Sequence, residues 1–559
     1  MKRDIKALSQ HSFDVLIIGA GIYGAATAWD AALRGLSVAL IDKSDFGSAT
    51  SSNSLKIVHG GLRYLQQLDI PRVRESVRER MIFMRIAPHL VHPFPCMMPT
   101  YGHFMKGNEI MRMGLYLNDI LSFDRNRLQD PEKSISAGRV VSRKECLRLV
   151  PGIDGKRVRG GAFWTDAQMY NSERLLLSFV LSASRRGAEV ANYIEAKEFL
   201  KRGNRVEGVK AVDGLTGDAL EIRATMIINT SGGWVDEVLR RALKHSSRVH
   251  LSTAMNLVVR RSLLSECAAG IAAPFRFQRN NGSVYQGSRV LFFAPWRKCT
   301  LIGTYHQPYS GNPEDLQVTE KEIQDFLENV NAGYPQDPIG RDEISFVHKG
   351  FLPMDGIHRK TGEILLTKHS RLYDHFREDG LDGLISVVGV KYTTARDVAE
   401  KAVNRIFKKM GKTPPSPLSR DTQLVGGEIE RFDDFLSRAV SSTPEGQSAE
   451  VVRHLVYNYG SEYARILKYG ERRSDLLKTV PGSSEVLLAE VIHAIREEMA
   501  QKLTDIVLRR TDLGSAGHPG KEAIATCVRV AAKELGWNKS RTQEEVDDLE
   551  KTYEAHGLK

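Results

Sequence analysis

The run Asp14-Val15-Leu16-Ile17-Ile18-Gly19-Ala20-Gly21-Ile22-Tyr23-Gly24, followed by Val38-Ala39-Leu40-Ile41-Asp42, constrains this chain more than any other feature. The β-branched stretch from Val15 to Ile18 reads as a buried parallel strand, and the glycine turn leads into a helix of small residues (Ala25, Ala26, Ala28, Ala31, Ala32). Gly19 permits the tight bend, Gly21 lets main chain approach a pyrophosphate, and Gly24 lets the helix pack close to the sheet. The N–H groups and dipole at the helix start favour an anion. Asp42, ending the second strand, is placed to accept hydrogen bonds from an adenosine ribose. A lone glycine motif says little. One flanked by both strands and the acid implies a bound dinucleotide.

A chain of 559 residues has room for about two to four domains. Hydrophobic content of 42% and charged content of 26% are ordinary for a water-soluble globular protein. The net charge of +11 suits anionic ligands, nucleic acid or an anionic membrane face, or reflects a diffuse solvated surface. No zinc-finger, helix-turn-helix or RNP signature accompanies it, so nucleic acid is not expected as a partner. The five cysteines (Cys96, Cys146, Cys267, Cys299, Cys527) form no CxxC pair, which points to a reducing compartment without disulfides and to no cysteine metal site. The polar residues before Asp14 contain no apolar signal core, and no stretch reaches the length of a membrane span, so a cytoplasmic protein is expected, with attachment to a membrane face left open.

Periodicity places an amphipathic helix over Arg72 to Ile86 and an apolar, methionine-rich one over Phe104 to Phe123. A core or interface role is the simpler reading of the second, and a membrane-contacting face the alternative. A helix follows over Ser172 to Arg186, then a strand from Glu189 to Ile194 and a hairpin about Arg202-Gly203-Asn204. Thr225 to Asn229 reads as a buried strand running into Ser231-Gly232-Gly233-Trp234, where small residues suit a second approach to the cofactor. Strands are expected through Val249 to Ile302 and at Leu384 to Gly389, before a helix from Thr394 to Lys408. Beyond the Pro-rich linker 412–417 the pattern turns wholly helical, through Ser448 to Tyr469, Glu485 to Arg510 and Lys521 to Leu535.

The segment Thr50-Ser51-Ser52-Asn53-Ser54-Leu55-Lys56-Ile57-Val58-His59-Gly60-Gly61-Leu62-Arg63-Tyr64-Leu65 resembles the FAD-dependent glycerol-3-phosphate dehydrogenases, among the D-amino-acid-oxidase-like flavoproteins. Pro295-Trp296, Leu301-Ile302-Gly303-Thr304, Gly389-Val390-Lys391-Tyr392-Thr393-Thr394-Ala395-Arg396, and the helical blocks Ala489 to Ala500 and Leu503 to Thr511 follow in family order. The resemblance spans nearly the whole chain. It implies an α/β fold: a Rossmann-type FAD-binding domain (about 12–100, 160–240, 380–415) interleaved with an α+β substrate domain built on a mixed antiparallel sheet (about 100–160, 240–380). An all-α C-terminal domain (421–559) follows the oxidoreductase part (1–420). It further implies oxidation of a small phosphorylated polyol, glycerol 3-phosphate or a near analogue, with electrons passing to quinone at a membrane face, and leaves a homodimer open. The alternative is an oxidase acting on a different hydroxy or amino acid with oxygen.

The cofactor set expected on these grounds is Gly19, Gly21, Ile22, Gly24, Asp42, Lys43, Ser51, Ser52, Lys56, His59, Gly60, Gly61, Val190, Ser231, Gly232, Trp234, Gly389, Lys391, Tyr392, Thr393 and Thr394. Ser51, Ser52 and Lys56 would bind pyrophosphate and flavin, Gly60-Gly61 would lie against the flat ring, and His59 would contact it. Thr393 and Thr394 are also read as helix-capping residues. Arg63 is the expected phosphate ligand, with Tyr64, Lys391 and Lys368 beside it, Lys368 standing where the family carries an Arg. Departures cluster in the substrate pocket. The family's histidine, arginine and acids are replaced by Asn256, Leu352, His306 and Pro308. Losing an arginine together with an acid avoids an unpaired buried charge. Either His306 becomes the proton acceptor, or the pocket takes a different hydroxy substrate, or it is inactive.

Overall fold

The computed structural model describes residues 1–102, 108–243, 248–278 and 283–558. Its first sheet has the strand Ser12–Ile18 at the centre, parallel to Ala219–Asn229 on one side and to Val38–Ile41 on the other, with Ile17 opposite both Ile228 and Leu40. Leu384–Val388 and Glu189–Ala191 extend the parallel order outward. The antiparallel pair Ile194–Arg202 and Arg205–Asp213 continues from Ala219–Asn229. The strand Ser12–Ile18 reads as a continuous apolar run because both faces are covered. Val15 and Ile17 pack with the helices Ile22–Leu33, Ser172–Arg185 and Ala395–Lys409, whereas Leu16 and Ile18 face a second core with Val209, Ile222 and Leu239.

The second sheet is mostly antiparallel and holds His250–Val259, Ala268–Gln278, Val284–Trp296, Cys299–Tyr309 and Ile344–Ile357. It also takes in Val91–Tyr101 and Val158–Met169, so segments expected with the nucleotide-binding part contribute strands to the substrate sheet. The helix expected from Arg72 starts at Ile70, where Asp69 caps the Arg72 N–H and Pro71 fits the first turn. The apolar helix spans Asn108–Leu121; Phe104 and Met105 lie outside the described residues. Leu115 is buried, but Met113, Tyr116, Leu117 and Ile120, with Phe123 just beyond, are exposed.

The C-terminal part is helical, and the helix Lys521–Leu535 has the expected bounds. The helices Ile5–Gln10 and Lys539–Ala555 were not anticipated. Buried ion pairs fasten this part beneath the cofactor loop. Arg510 grips Asp45 with two bonds of 2.7 and 2.8 Å, Arg509 joins at 2.6 Å, and Arg174 binds Glu498 at 2.7 Å. Asp45 follows Asp42 on the same loop, so the C-terminal helices brace the nucleotide turn from behind.

Candidate active site

A cleft of about 400 Å³ runs from the glycine turn to Lys391 between the two sheets. At its first end lie Gly19, Gly21, Ile22, Asp42 and Lys43. Gly19 has φ +98°, and a Cβ there would stand 2.8 Å from the Ser231 Cα, because two strand-end turns cross at this point. A Cβ on Gly24 would come within 1.9 Å of the Gly19 carbonyl oxygen. Gly21 occupies the N-cap of the helix Ile22–Leu33 with no side-chain cap among the described residues, and the Ile22 N–H donates to Ser51 Oγ at 3.0 Å. Asp42 accepts from the N–H groups of Ala20 (2.6 Å) and Ser44 (2.9 Å), and burial pushes its carboxyl up to about 6. Ser231, Gly232 and Trp234 form the opposite lip. Across it Glu314 accepts from Trp234 Nε1 at 2.8 Å and from Lys43, whose ammonium lies 4.5 Å from the indole ring.

Of the expected cofactor residues, Gly24, Ser52, Gly60, Gly61, Val190 and Thr394 are not part of the cleft lining, and Lys56 borders it with its ammonium engaged. Lys56 has its ammonium fully buried against Glu173, at 2.9 Å from both carboxylate oxygens, with Ser172 at 2.8 Å. Burial lowers its pKa while Glu173 opposes that shift. Its charge is spent there, so it borders the cleft without an ammonium free for pyrophosphate. Ser52 donates to the Gly47 carbonyl at 2.6 Å and ties its own loop. Val190 is a core residue paired with Leu40; Ile194, Glu195 and Ala196 line the cleft instead.

At the far end Gly389, Lys391, Tyr392 and Thr393 line the cleft with His59. The turn at 389–391 is held by Tyr23, a residue of the glycine motif whose role was not foreseen. Its hydroxyl accepts the N–H groups of Val390 (3.0 Å) and Lys391 (3.1 Å) and donates to the Lys391 carbonyl (2.7 Å). Gly389 lacks a side chain because a Cβ would fall 2.0 Å from Tyr23 Cε2. Thr394 sits at the N-cap of Ala395–Lys409 but makes no side-chain cap among the described residues, so the capping reading fails for it. Gly60 donates its N–H to Asp166, and a Cβ there would collide with Arg80 Nη1 at 2.4 Å; Arg80 itself binds Asp166 at 2.7 Å. Gly61, at φ +84°, starts the short helix Leu62–Gln67 that carries Arg63 and Tyr64.

His59 and Tyr64 pack edge to face, with Tyr64 Oη 3.4 Å from His59 Nε2. Burial, then Lys391, pushes the His59 imidazole down to about 4, so it is neutral at pH 7. Lys391 Nζ is buried without a hydrogen-bond partner among the described residues. Burial, then Arg72, brings its pKa down to about 7. Arg63 is exposed at the rim. Lys368 is exposed and lies outside the cleft lining, so the structure does not bring it to the site.

The replaced pocket positions come together in part. Asn256, Thr304 and Leu352 line the cleft, with Thr304 Oγ1 donating to Asn256 Oδ1 at 3.0 Å. His306 lies two residues beyond Thr304 on the same strand, and Pro308 is exposed. Burial pushes His306 down to about 4, its ring bonds the Thr253 main chain, and its Nδ1 is buried without a partner among the described residues.

A glycine-turn nucleotide cleft, closed by a second sheet and ending at the His59 imidazole and an ammonium without a hydrogen-bond partner among the described residues, is built for a dinucleotide cofactor. Residues 14–380 match the FAD dependent oxidoreductase family, and residues 418–542 match the C-terminal domain of alpha-glycerophosphate oxidase. The chain belongs to the FAD-dependent oxidoreductases. It is 31% identical to a glycerol-3-phosphate dehydrogenase of Synechocystis sp., over 98% of this chain and 96% of that one. A glycerol-3-phosphate dehydrogenase of Mycobacterium leprae is 28% identical, over 97% and 88%. The crystal structure of glycerol-3-phosphate dehydrogenase from Bacillus halodurans complexed with FAD superposes with a TM-score of 0.76 at 25% identity, covering 99% of this chain and 96% of that one.

Proposed function

We propose that this chain is a FAD-dependent dehydrogenase that oxidises the secondary alcohol of glycerol 3-phosphate, or a close analogue, to the ketone. The observation that carries the proposal is Lys391, a buried ammonium without a hydrogen-bond partner among the described residues, at the ring end of a cleft shaped for FAD. FAD, when bound, supplies the acceptor for the two electrons and the hydrogen leaving the carbinol carbon. Gly19, Gly21 and the start of the helix Ile22–Leu33 would hold its pyrophosphate, and the turn at 389–391 its ring. Lys391, Tyr64 and Arg63 bind the phosphate. The hydroxyl proton leaves to His306, whose imidazole is neutral and has a free Nδ1.

We further propose that electrons pass to quinone at the inner face of the cell membrane. No helix among the described residues is long and apolar enough to cross a membrane. The exposed side chains Met113, Tyr116, Leu117, Ile120 and Phe123 form a face suited to lie on one, with the Arg74 and Arg127 guanidiniums 5.0 and 5.7 Å from the Phe123 ring. Flotation with anionic-lipid vesicles tests this; protein that stays at the bottom of the gradient refutes it.

Asn256 and Leu352 in the cleft favour a second reading, an oxidase of another hydroxy or amino acid. Anaerobic titration of the bound flavin separates the two. Bleaching by glycerol 3-phosphate, with slow reoxidation in air, supports the dehydrogenase. Bleaching only by other substrates, with rapid peroxide release, supports the oxidase.

A further inference from the structure

The helix Ile70–Ile86 places a cation near the Lys391 end of the cleft that the sequence pattern did not single out. Arg72 is only 9% exposed, its guanidinium carbon stands 4.0 Å from the Tyr64 ring centroid, and its Nε is buried without a hydrogen-bond partner among the described residues. Lys391 Nζ lies 4.2 Å from the same centroid. Two desolvated cations at one ring repel, and an acid between them would be the ordinary remedy. The neighbouring acids each hold another partner, and the pull of Glu75 and Asp69 on Lys391 is weaker than the push of burial and Arg72. Asp69 caps the helix at the Arg72 N–H, Glu75 takes Lys401 at 3.1 Å, Glu79 takes Arg396 at 2.6 Å, and Asp166 takes Arg80. The second sheet brings Asn256, Thr304, Leu352 and Pro353 to the cleft, all uncharged.

We propose that Arg72 and Lys391, both close to the Tyr64 ring, form a two-cation subsite for a phosphate monoester dianion, and that Arg72 determines the preference for phosphorylated substrates. This rests on the proposed oxidation of a phosphorylated polyol and assigns its phosphate a ligand from the first helix after the HGGLRYL segment. A guanidinium presents paired donors to phosphate oxygens. The charge of a dianion matches the pair, and exposed Arg63 marks the way in. The depressed pKa of Lys391, for which Arg72 is the leading electrostatic cause, fits two cations held together in waiting for an anion.

The test compares wild-type holoenzyme with Arg72→Gln and Arg72→Lys, using inorganic phosphate by calorimetry and glycerol 3-phosphate against unphosphorylated glycerol in turnover. A lost charge-assisted bond predicts that Arg72→Gln weakens phosphate binding and raises KM for glycerol 3-phosphate by about tenfold or more. FAD content stays near wild type, the ratio of kcat/KM for glycerol 3-phosphate to that for glycerol falls along with the phosphate affinity, and Arg72→Lys recovers part of the loss. Unchanged phosphate affinity in FAD-replete Arg72→Gln overturns the inference. If wild type binds phosphate through Arg72 yet does not oxidise glycerol 3-phosphate, the subsite stands and the substrate reading falls. Should Arg72→Gln fail to fold, Arg72→Lys decides: phosphate affinity equal to wild type refutes the subsite.

Discussion

Anion binding at Lys391 should depend steeply on pH, and should fail at much lower pH than at an ordinary lysine site. Burial and Arg72 bring the ammonium from 10.5 down to about 7, against the weaker upward pull of Glu75 and Asp69. In the ligand-free site the protonated fraction is therefore one half near pH 7 and approaches a tenfold fall per unit above it. A dianion binds the protonated form and raises its pKa in the complex, so the affinity for a phosphate monoester such as glycerol 3-phosphate falls by roughly fiftyfold between about pH 7 and about pH 9. Below about pH 6 the ligand itself loses dianion character, which leaves an optimum between about 6 and 7. Binding at pH 8 takes up close to one proton, measured by calorimetry in two buffers of different ionisation enthalpy. Lys391→Met binds weakly and loses the decline above pH 7. Wild-type affinity that is flat from pH 7 to 9, with no proton uptake, would sink the argument that this ammonium is desolvated and serves the anion.

Gly24→Ala places a Cβ 1.9 Å from the Gly19 carbonyl oxygen, where neither partner is a flexible side chain; the variant purifies with little FAD, read from visible absorbance, while far-ultraviolet dichroism is kept. Tyr23→Phe removes the acceptor of the Val390 and Lys391 N–H groups; the expected cost of about 1–3 kcal/mol appears as weaker FAD retention, and unchanged retention on dilution refutes the clamp. Glu173→Gln strands the Lys56 ammonium in the interior; a loss of about 3–5 kcal/mol lowers the melting temperature, and Lys56→Met combined with Glu173→Leu restores most of it.

What could be read from the sequence was what the chain keeps contiguous. The glycine turn, the strand behind it and residues 389–393 each assemble from neighbours, and all reach the cleft. Lys56 was misjudged because its partner, Glu173, is remote in sequence. Val190 was misplaced because two short apolar strands follow one another, and the bend between them at Tyr193, with φ +58°, leaves no mark on composition. Arg72 read as one more charge on a solvated helix; only the packing of that helix onto Tyr64 reveals it as buried. Lys368 read as a pocket cation by position in the family pattern, yet it is exposed.

These placements divide the site into two parts with different supports. Arg63, Tyr64 and Arg72 all lie within one segment, from the left-handed Gly61 to the helix Ile70–Ile86, and Asp166 fastens its start through the Gly60 N–H and Arg80. Asn256, Thr304, His306 and Leu352 lie on the second sheet, and it is there that the family residues have been replaced. An anion held by the first segment stays in place whatever the sheet presents to the carbinol. Change on the sheet can then alter the group being oxidised while the requirement for phosphate is kept. A pocket altered at random would show losses on both supports. Here Asn256, His306 and Leu352 stand on the sheet, whereas the segment that holds Arg63 and Tyr64 also carries Arg72 buried beside the Tyr64 ring.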